Sequence, residues 1–225
     1  MNSLDRPAWS ALNGPQARLG TWNAAGTAVR IDPGYGPFGG AETGEEAALL
    51  DLFLDDQDEI WVVEPEGFVP PPGLVAVKQG ALVQMVAEGA LPPCDDDGIV
   101  VLGEADLADM AALADANKPG PWGSKTHLYG TYYGIRDAGR VVAMAGERMR
   151  PAVGLAEVSG VCTDPAYRGR RYAARLIARV MDGFAQRGEV TFLHSWADNA
   201  GAIALYEQLG FRVRRRLVAM ALRRG

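Results

Sequence analysis

Cysteine is almost missing from this sequence. There are two, Cys94 and Cys162, with no metal-ligand spacing between or around them, so each reads as a small buried or half-buried side chain and no metal is expected. No apolar run approaches the roughly 18 residues that a membrane span needs. The first residues, Met1-Asn2-Ser3-Leu4-Asp5-Arg6-Pro7, lack the basic-then-apolar build of a signal peptide. These absences point to a reducing cytoplasm and away from a membrane. No internal repeat can be read by eye. Positive charge is scarce in one half only: residues 1–120 carry a net charge of −15, whereas residues 121–225 carry +9. An anionic ligand would therefore meet the second half.

What is present is ordinary for a globular chain of 225 residues, with 48% hydrophobic and 22% charged residues. A chain of this size buries about 70% of its unfolded surface, enough for a real core. Residues 1–44 are rich in Gly, Pro and Ala and read as loop or irregular cover, with room for a short helix. A helix is predicted over 45–54 and a strand over 60–63. Two strands, 74–77 and 81–87, are expected around Gln79-Gly80. The run Leu91-Pro92-Pro93-Cys94-Asp95-Asp96-Asp97-Gly98 is the best linker, so domains are expected at 1–97 and 98–225. Beyond it come a strand at 99–102, a helix at 104–116 and an antiparallel hairpin, 128–135 with 141–149, turning at Asp137-Ala138-Gly139.

The densest pattern runs from Glu157 to Phe211. An apolar strand, Glu157-Val158-Ser159-Gly160-Val161-Cys162-Thr163, is broken by Asp164-Pro165. A basic turn, Arg168-Gly169-Arg170-Arg171, then leads into a helix whose Tyr172, Leu176, Ile177, Val180, Met181 and Phe184 share one face. A strand at 190–196, a helix that ends at Gly210 and a last strand from Phe211 to Leu222 complete it. A glycine-containing basic turn ahead of a helix can hold a phosphate on backbone N–H groups.

Residues 98–225 resemble the GNAT acyltransferase superfamily, which moves acyl groups from coenzyme A to amines. Two motifs carry the resemblance. The pyrophosphate loop, Gln/Arg-x-x-Gly-x-Gly/Ala, stands here as Arg168-Gly169-Arg170-Arg171-Tyr172-Ala173, with Arg171 in place of the middle glycine. The later segment, Asn-x-x-Ala-x-x-x-Tyr-x-x-x-Gly-Phe, is complete at Asn199, Ala202, Tyr206, Gly210 and Phe211. The style of residues 157–173 is similar to the branch that includes glycine N-acyltransferases. Some members of that branch carry a degenerate first half, which makes 1–97 a candidate for one. The fold implied is α/β (α+β), a mixed and mostly antiparallel sheet flanked by helices, with a smaller α/β unit ahead of it.

The resemblance implies acetyl-CoA or another acyl-CoA as co-substrate. Val161, Cys162 and Thr163 would form the strand edge that pairs with its pantetheine arm, one N–H there facing the oxyanion. Arg168, Gly169, Arg170, Arg171, Tyr172, Ala173 and Ala174 would hold the pyrophosphate, and Asn199 would add a polar contact or cap its helix. Tyr206 would be the general acid toward the departing thiolate. The base is open between Glu157, placed first, and His194, with loss of the amine proton to water as a third route. No cysteine suits a covalent relay, so direct attack in a ternary complex is expected. The acceptor is expected to be a small primary amine or amino-acid-like molecule, ahead of a protein N-terminus or lysine, and the protein a monomer or homodimer. A non-catalytic acyl-CoA binder is the alternative. A nucleic-acid partner is disfavoured by the acidic first half and by the scarcity of aromatic residues among the arginines.

Overall fold

The structure is a computed structural model and describes residues 2–225. A short helix, α1 (Pro7–Leu12), comes first, with Pro7 at the first helical position, where its missing N–H costs nothing. Strands β1 (Gly20–Trp22), β2 (Ala28–Ile31) and β3 (Gly39–Ala41) form a small antiparallel sheet. Then follow β4 (Ile60–Pro65), β5 (Leu74–Ala87), β6 (Ile99–Val101), α2 (Leu107–Asn117), β7 (Tyr132–Asp137), β8 (Arg140–Glu147), β9 (Leu155–Thr163), α3 (Tyr172–Gln186), β10 (Val190–Trp196), α4 (Ala200–Gln208) and β11 (Phe211–Arg224). Strands β4 to β11 form one sheet in the order β4-β11-β5-β10-β9-β8-β7-β6. Every neighbouring pair is antiparallel except β9 with β10. This is the mixed, mostly antiparallel, helix-flanked sheet expected.

The parallel pair exists because α3 carries the chain back across the sheet between β9 and β10. Leu176, Ile177, Val180, Met181 and Phe184 of α3 are fully buried against Val142, Ala143, Val158 and Leu193. Burial of such side chains stabilises by about 1.5–3 kcal/mol each before entropy is counted. The β7–β8 hairpin turns on Ala138 (φ 47°) and Gly139 (φ 81°), a two-residue turn with both residues left-handed.

Several local expectations change. Leu74–Ala87 is one continuous 14-residue strand, not two. It stays extended because β11 pairs along its whole length, from Phe211↔Ala87 to Arg224↔Leu74. Gly80 is a packing residue, not a turn: a Cβ there would lie 2.7 Å from the Trp196 ring. The segment Glu46–Leu52 is a 3₁₀ helix, burying Leu49 and Leu52. In α2 the buried face is Met110, Leu113 and Ala114, with Ala111 exposed. The expected boundary at 97–98 falls in the connection between β5 and β6, and strands from both sides of it interleave: β5 lies between β10 and β11.

Candidate active site

Strands β9 and β10 pair at only three positions, Leu155↔Val190, Ala156↔Thr191 and Glu157↔Phe192. Beyond them β10 stays with β5 as far as Trp196↔Leu82, while β9 stays with β8. The two strands therefore part. A register shift in the β8–β9 ladder and a left-handed Gly160 (φ 62°) mark an irregularity in β9 beside the opening. A cavity of about 380 Å³ fills it, lined by Ser159, Gly160 and Val161 of β9, His194, Ser195 and Trp196 of β10, Asn199 and Tyr206. The structure thus brings Val161, His194, Asn199, Tyr206 and Arg168 together around one space.

The rest of the β9 edge divides. The Cys162 side chain points away, buried with Met110, Tyr132 and Met144. Burial pushes its thiol up to about 12, so Cys162 offers backbone and no nucleophile. Thr163 borders a second cavity of about 370 Å³, together with Arg168, Gly169, Arg171, Tyr172, Ala173 and Ala174. The Thr163 hydroxyl is buried there without a hydrogen-bond partner among the described residues. Gly169 is left-handed (φ 80°), and a Cβ on it would meet nothing within 4 Å. The first turn of α3 starts at Tyr172 with Arg171 as its N-cap. An open, glycine-bearing turn at a helix N-terminus beside an unpartnered hydroxyl suits a phosphate chain. Arg170 does not line this space; its guanidinium lies over the Tyr167 ring at 4.8 Å. Arg171 adopts φ 61° and ψ 16°. The departure from the loop pattern thus falls where the backbone is left-handed and glycine would be unstrained.

Asn199 both caps α4, its Oδ1 accepting from the Ala202 N–H at 3.2 Å, and lines the first cavity. Tyr206 packs edge-on to Phe211. Burial first, and then Cys162, push the Tyr206 hydroxyl up to about 12, so it holds its proton at neutral pH.

Glu157 is 1% exposed and does not line the cavity. Arg148 Nε and Nη2 donate to its Oε2 and Oε1 at 3.0 and 2.8 Å. The Met149 N–H donates to Oε2 at 3.1 Å, and His194 Nδ1 stands 2.7 Å from Oε1. Burial alone would raise this carboxyl, but the Arg148 charge and the hydrogen bonds of His194 and Arg148 outweigh it and hold it far below the usual carboxylate range.

His194 meets Gln84 on its other side, Nε2 to Nε2, at 3.0 Å. Gln84 is fully buried on β5. Its Nε2 also donates to the Leu4 carbonyl at 2.7 Å, and its Oε1 accepts from Arg214 Nη1 at 2.8 Å. Arg214 Nη2 in turn donates to Asp5 at 2.8 Å. A hydrogen-bonded relay, half-buried at Asp5 and Arg214 and buried at Gln84 and Glu157, thus runs from the first turn of the chain to Arg148. Sequence reasoning missed Arg148, Gln84 and Arg214. One signal existed for Gln84: it is the polar residue inside the apolar run Leu82-Val83-Gln84-Met85-Val86.

Among known proteins, a crystal structure from Novosphingobium aromaticivorans, described as an acetyltransferase of the GNAT family, is 56% identical over the whole of both chains, with a TM-score of 0.95. This chain belongs to the GNAT family. A GCN5-related N-acetyltransferase from Kribbella flavida shares the fold, with a TM-score of 0.62 over 96% of this chain and 93% of that one, at 22% identity. The model of the family described as FR47-like protein matches residues 132–219. The N-alpha-acetyltransferase RimI of Mycobacterium tuberculosis is 41% identical over 83 residues, 36% of this GNAT chain and 51% of RimI. An uncharacterized Mycobacterium leprae protein, ML0378, is 32% identical over 84% of this chain and 55% of its own length. The chain spans about half the length of these two curated relatives. Among the described residues no helix is long and apolar enough to cross a membrane.

Proposed function

We propose that this GNAT protein transfers an acyl group, acetyl in the first instance, from acyl-coenzyme A to a primary amine by direct attack in a ternary complex. One observation carries the reading: the parting of β9 and β10 collects a free strand edge, Asn199 and Tyr206 around one cavity, and Arg168 borders both that cavity and the one at the start of α3.

The thioester supplies an activated carbonyl and a sulfur leaving group. The β9 edge at Val161–Thr163 offers unpaired backbone groups for an extended amide-bearing arm, and a β9 N–H there faces the carbonyl oxygen as it becomes negative. The turn Arg168–Ala174 receives the phosphates on backbone N–H groups. As the amine nitrogen bonds to the carbonyl carbon and the carbon–sulfur bond breaks, the Tyr206 hydroxyl passes its proton to sulfur and recovers one from solvent. The Tyr206 hydroxyl, raised by burial, is a weaker acid than a free thiol of pKa ~8.5, so the transfer depends on the oxygen being held beside sulfur as the carbon–sulfur bond breaks.

Neither expected base is free to act. Glu157 is a tightly solvated, weakly basic carboxylate, and both ring nitrogens of His194 are engaged. The proton lost by the attacking amine goes to water, the third route left open by the sequence. Glu157 and His194 act as positioning groups that tie β10 to β9 where the two strands begin to part.

The test is a thermal melt with coenzyme A and with acetyl-CoA, then thiol release with amines added. Ligand that binds only the folded state raises the midpoint. No shift with either at millimolar concentration would sink the proposal.

A further inference from the structure

The active-site cavity has a neighbour of about 930 Å³. The two share Trp61, Lys118, Gly120, Pro121 and Trp196 as a common wall. Three of the five tryptophans, Trp61, Trp122 and Trp196, are half-buried and line this larger chamber. Each is held in place. Trp196 rests on Gly80, where any Cβ would collide with its ring. Trp122 meets Tyr132 edge-on with ring centres 5.5 Å apart. Trp61 Nε1 donates to Glu59 at 3.3 Å. Rigid aromatic walls of this kind present contact area at little entropic cost.

The charges of the chamber cancel. Arg30 is paired with Asp58, and Glu59 takes both Lys78 and Arg223. Asp115 and Lys118 add one of each sign. A polyamine would need several uncompensated carboxylates, and this lining supplies only Asp115. What remains is aromatic surface.

Lys118 on the common wall has no ion-pair partner among the described residues, and Arg148 on the active-site side keeps one donor free. Arg148 spends Nε and Nη2 on Glu157, while Nη1 lies 3.4 Å from where a Cβ on Gly120 would be. Gly120 belongs to both chambers, so Nη1 sits at their junction. Lys118 supplies the uncompensated positive charge, and Nη1 is placed to donate to a carboxylate oxygen next to the reacting amine.

We propose that the acceptor is a free aromatic α-amino acid, its side chain among Trp61, Trp122 and Trp196 and its carboxylate on Arg148. This rests on the transferase reading above and names its substrate class.

The experiment uses the full chain with acetyl-CoA and measures initial rates with L-phenylalanine, L-tryptophan, L-alanine, tryptamine, putrescine and the dipeptide Phe-Ala. The two aromatic amino acids should lead in kcat/KM by about tenfold or more, a gap of about 1.4 kcal/mol. Trp122→Ala, with Trp196→Ala as a second variant, should raise KM for L-phenylalanine about tenfold, and Trp122→Ala, which touches only the larger chamber, should leave KM for acetyl-CoA unchanged. Equal use of putrescine or L-alanine, a lead for Phe-Ala or tryptamine, or no change in KM in either variant would overturn the assignment. Equilibrium dialysis of labelled L-phenylalanine against L-alanine, without acetyl-CoA, separates the two proposals. Selective retention with no coenzyme A melt shift would remove the transferase and keep the chamber. A coenzyme A shift without selective retention would do the reverse.

Discussion

Gln84 can only donate to His194. Its amide is fixed from two other directions, by the Leu4 carbonyl at Nε2 and by the Arg214 guanidinium at Oε1, so the group 3.0 Å from His194 Nε2 is an N–H. The His194 ring must then accept at Nε2 and donate from Nδ1 to Glu157. The charged groups around this ring are Glu157 on β9, Arg148 after β8, Arg214 on β11 and Asp5 ahead of α1. Nitrogen-detected NMR should show the His194 ring carrying its proton on Nδ1, with Nε2 as the acceptor. Gln84→Glu replaces the donor by an acceptor and should convert the ring to the doubly protonated form. An Nε2–H or doubly protonated ring in the unaltered protein would refute the relay.

Tyr206→Phe keeps the ring against Phe211 and removes only the hydroxyl. We expect kcat to fall by about 10²–10⁴-fold, the usual contribution of a general acid. The melt shift with coenzyme A should persist. The loss should shrink when the leaving thiol is more acidic. Turnover at the unaltered rate with an ordinary thioester would make Tyr206 a packing residue.

Arg171→Gly relieves a left-handed arginine. A side chain in that conformation costs roughly 1–2 kcal/mol, partly offset by the greater freedom of glycine when unfolded. Denaturant titration should therefore show an unchanged or higher stability, by up to about 1 kcal/mol. Affinity for coenzyme A should stay within a few fold, because the turn offers backbone N–H groups. A tenfold loss would make the arginine itself a phosphate ligand.

Glu157 has a carboxyl held far below its ordinary pKa of about 4.3. Its contribution to stability is full above that ordinary value and is lost as pH falls toward the folded one. Glu157→Gln should cost about 3–5 kcal/mol by leaving Arg148 buried without its counter-charge. The stability of the variant should vary less with pH below about 4. If Glu157→Gln keeps its stability but loses turnover, and regains it at high pH, Glu157 is the base after all.

Local patterns in the sequence were sufficient for some of this architecture. The apolar stripe of α3 lies within 15 residues, and the β7–β8 turn within two, so each was visible as periodicity or turn chemistry. Asn199 caps the short helix that carries Tyr206, so both fall within one local motif, and both line the cavity. Other features depend on partners distant in the chain. Gly80 reads as a turn until Trp196, 116 residues later, is known to lie on it. Glu157 reads as a free carboxylate until Arg148 and His194 close on it. The tryptophan chamber joins β4, the segment after α2 and the end of β10, and no window of sequence contains all three.

The place of β5 in the sheet has a consequence for how the chain is made. On the ribosome, β4 and β5 emerge early, yet they do not pair with each other, because β11 lies between them. Both wait as bare edges until β11, which follows every other strand, is delivered. Such pairings, between residues 124 to 162 positions apart, close slowly and leave sticky intermediates in the meantime. The same arrangement makes the protein suited to being split. A fragment of residues 1–97 and one of 98–225, expressed together, would each hold strands that the other lacks, and reassembly would restore activity that neither piece has alone.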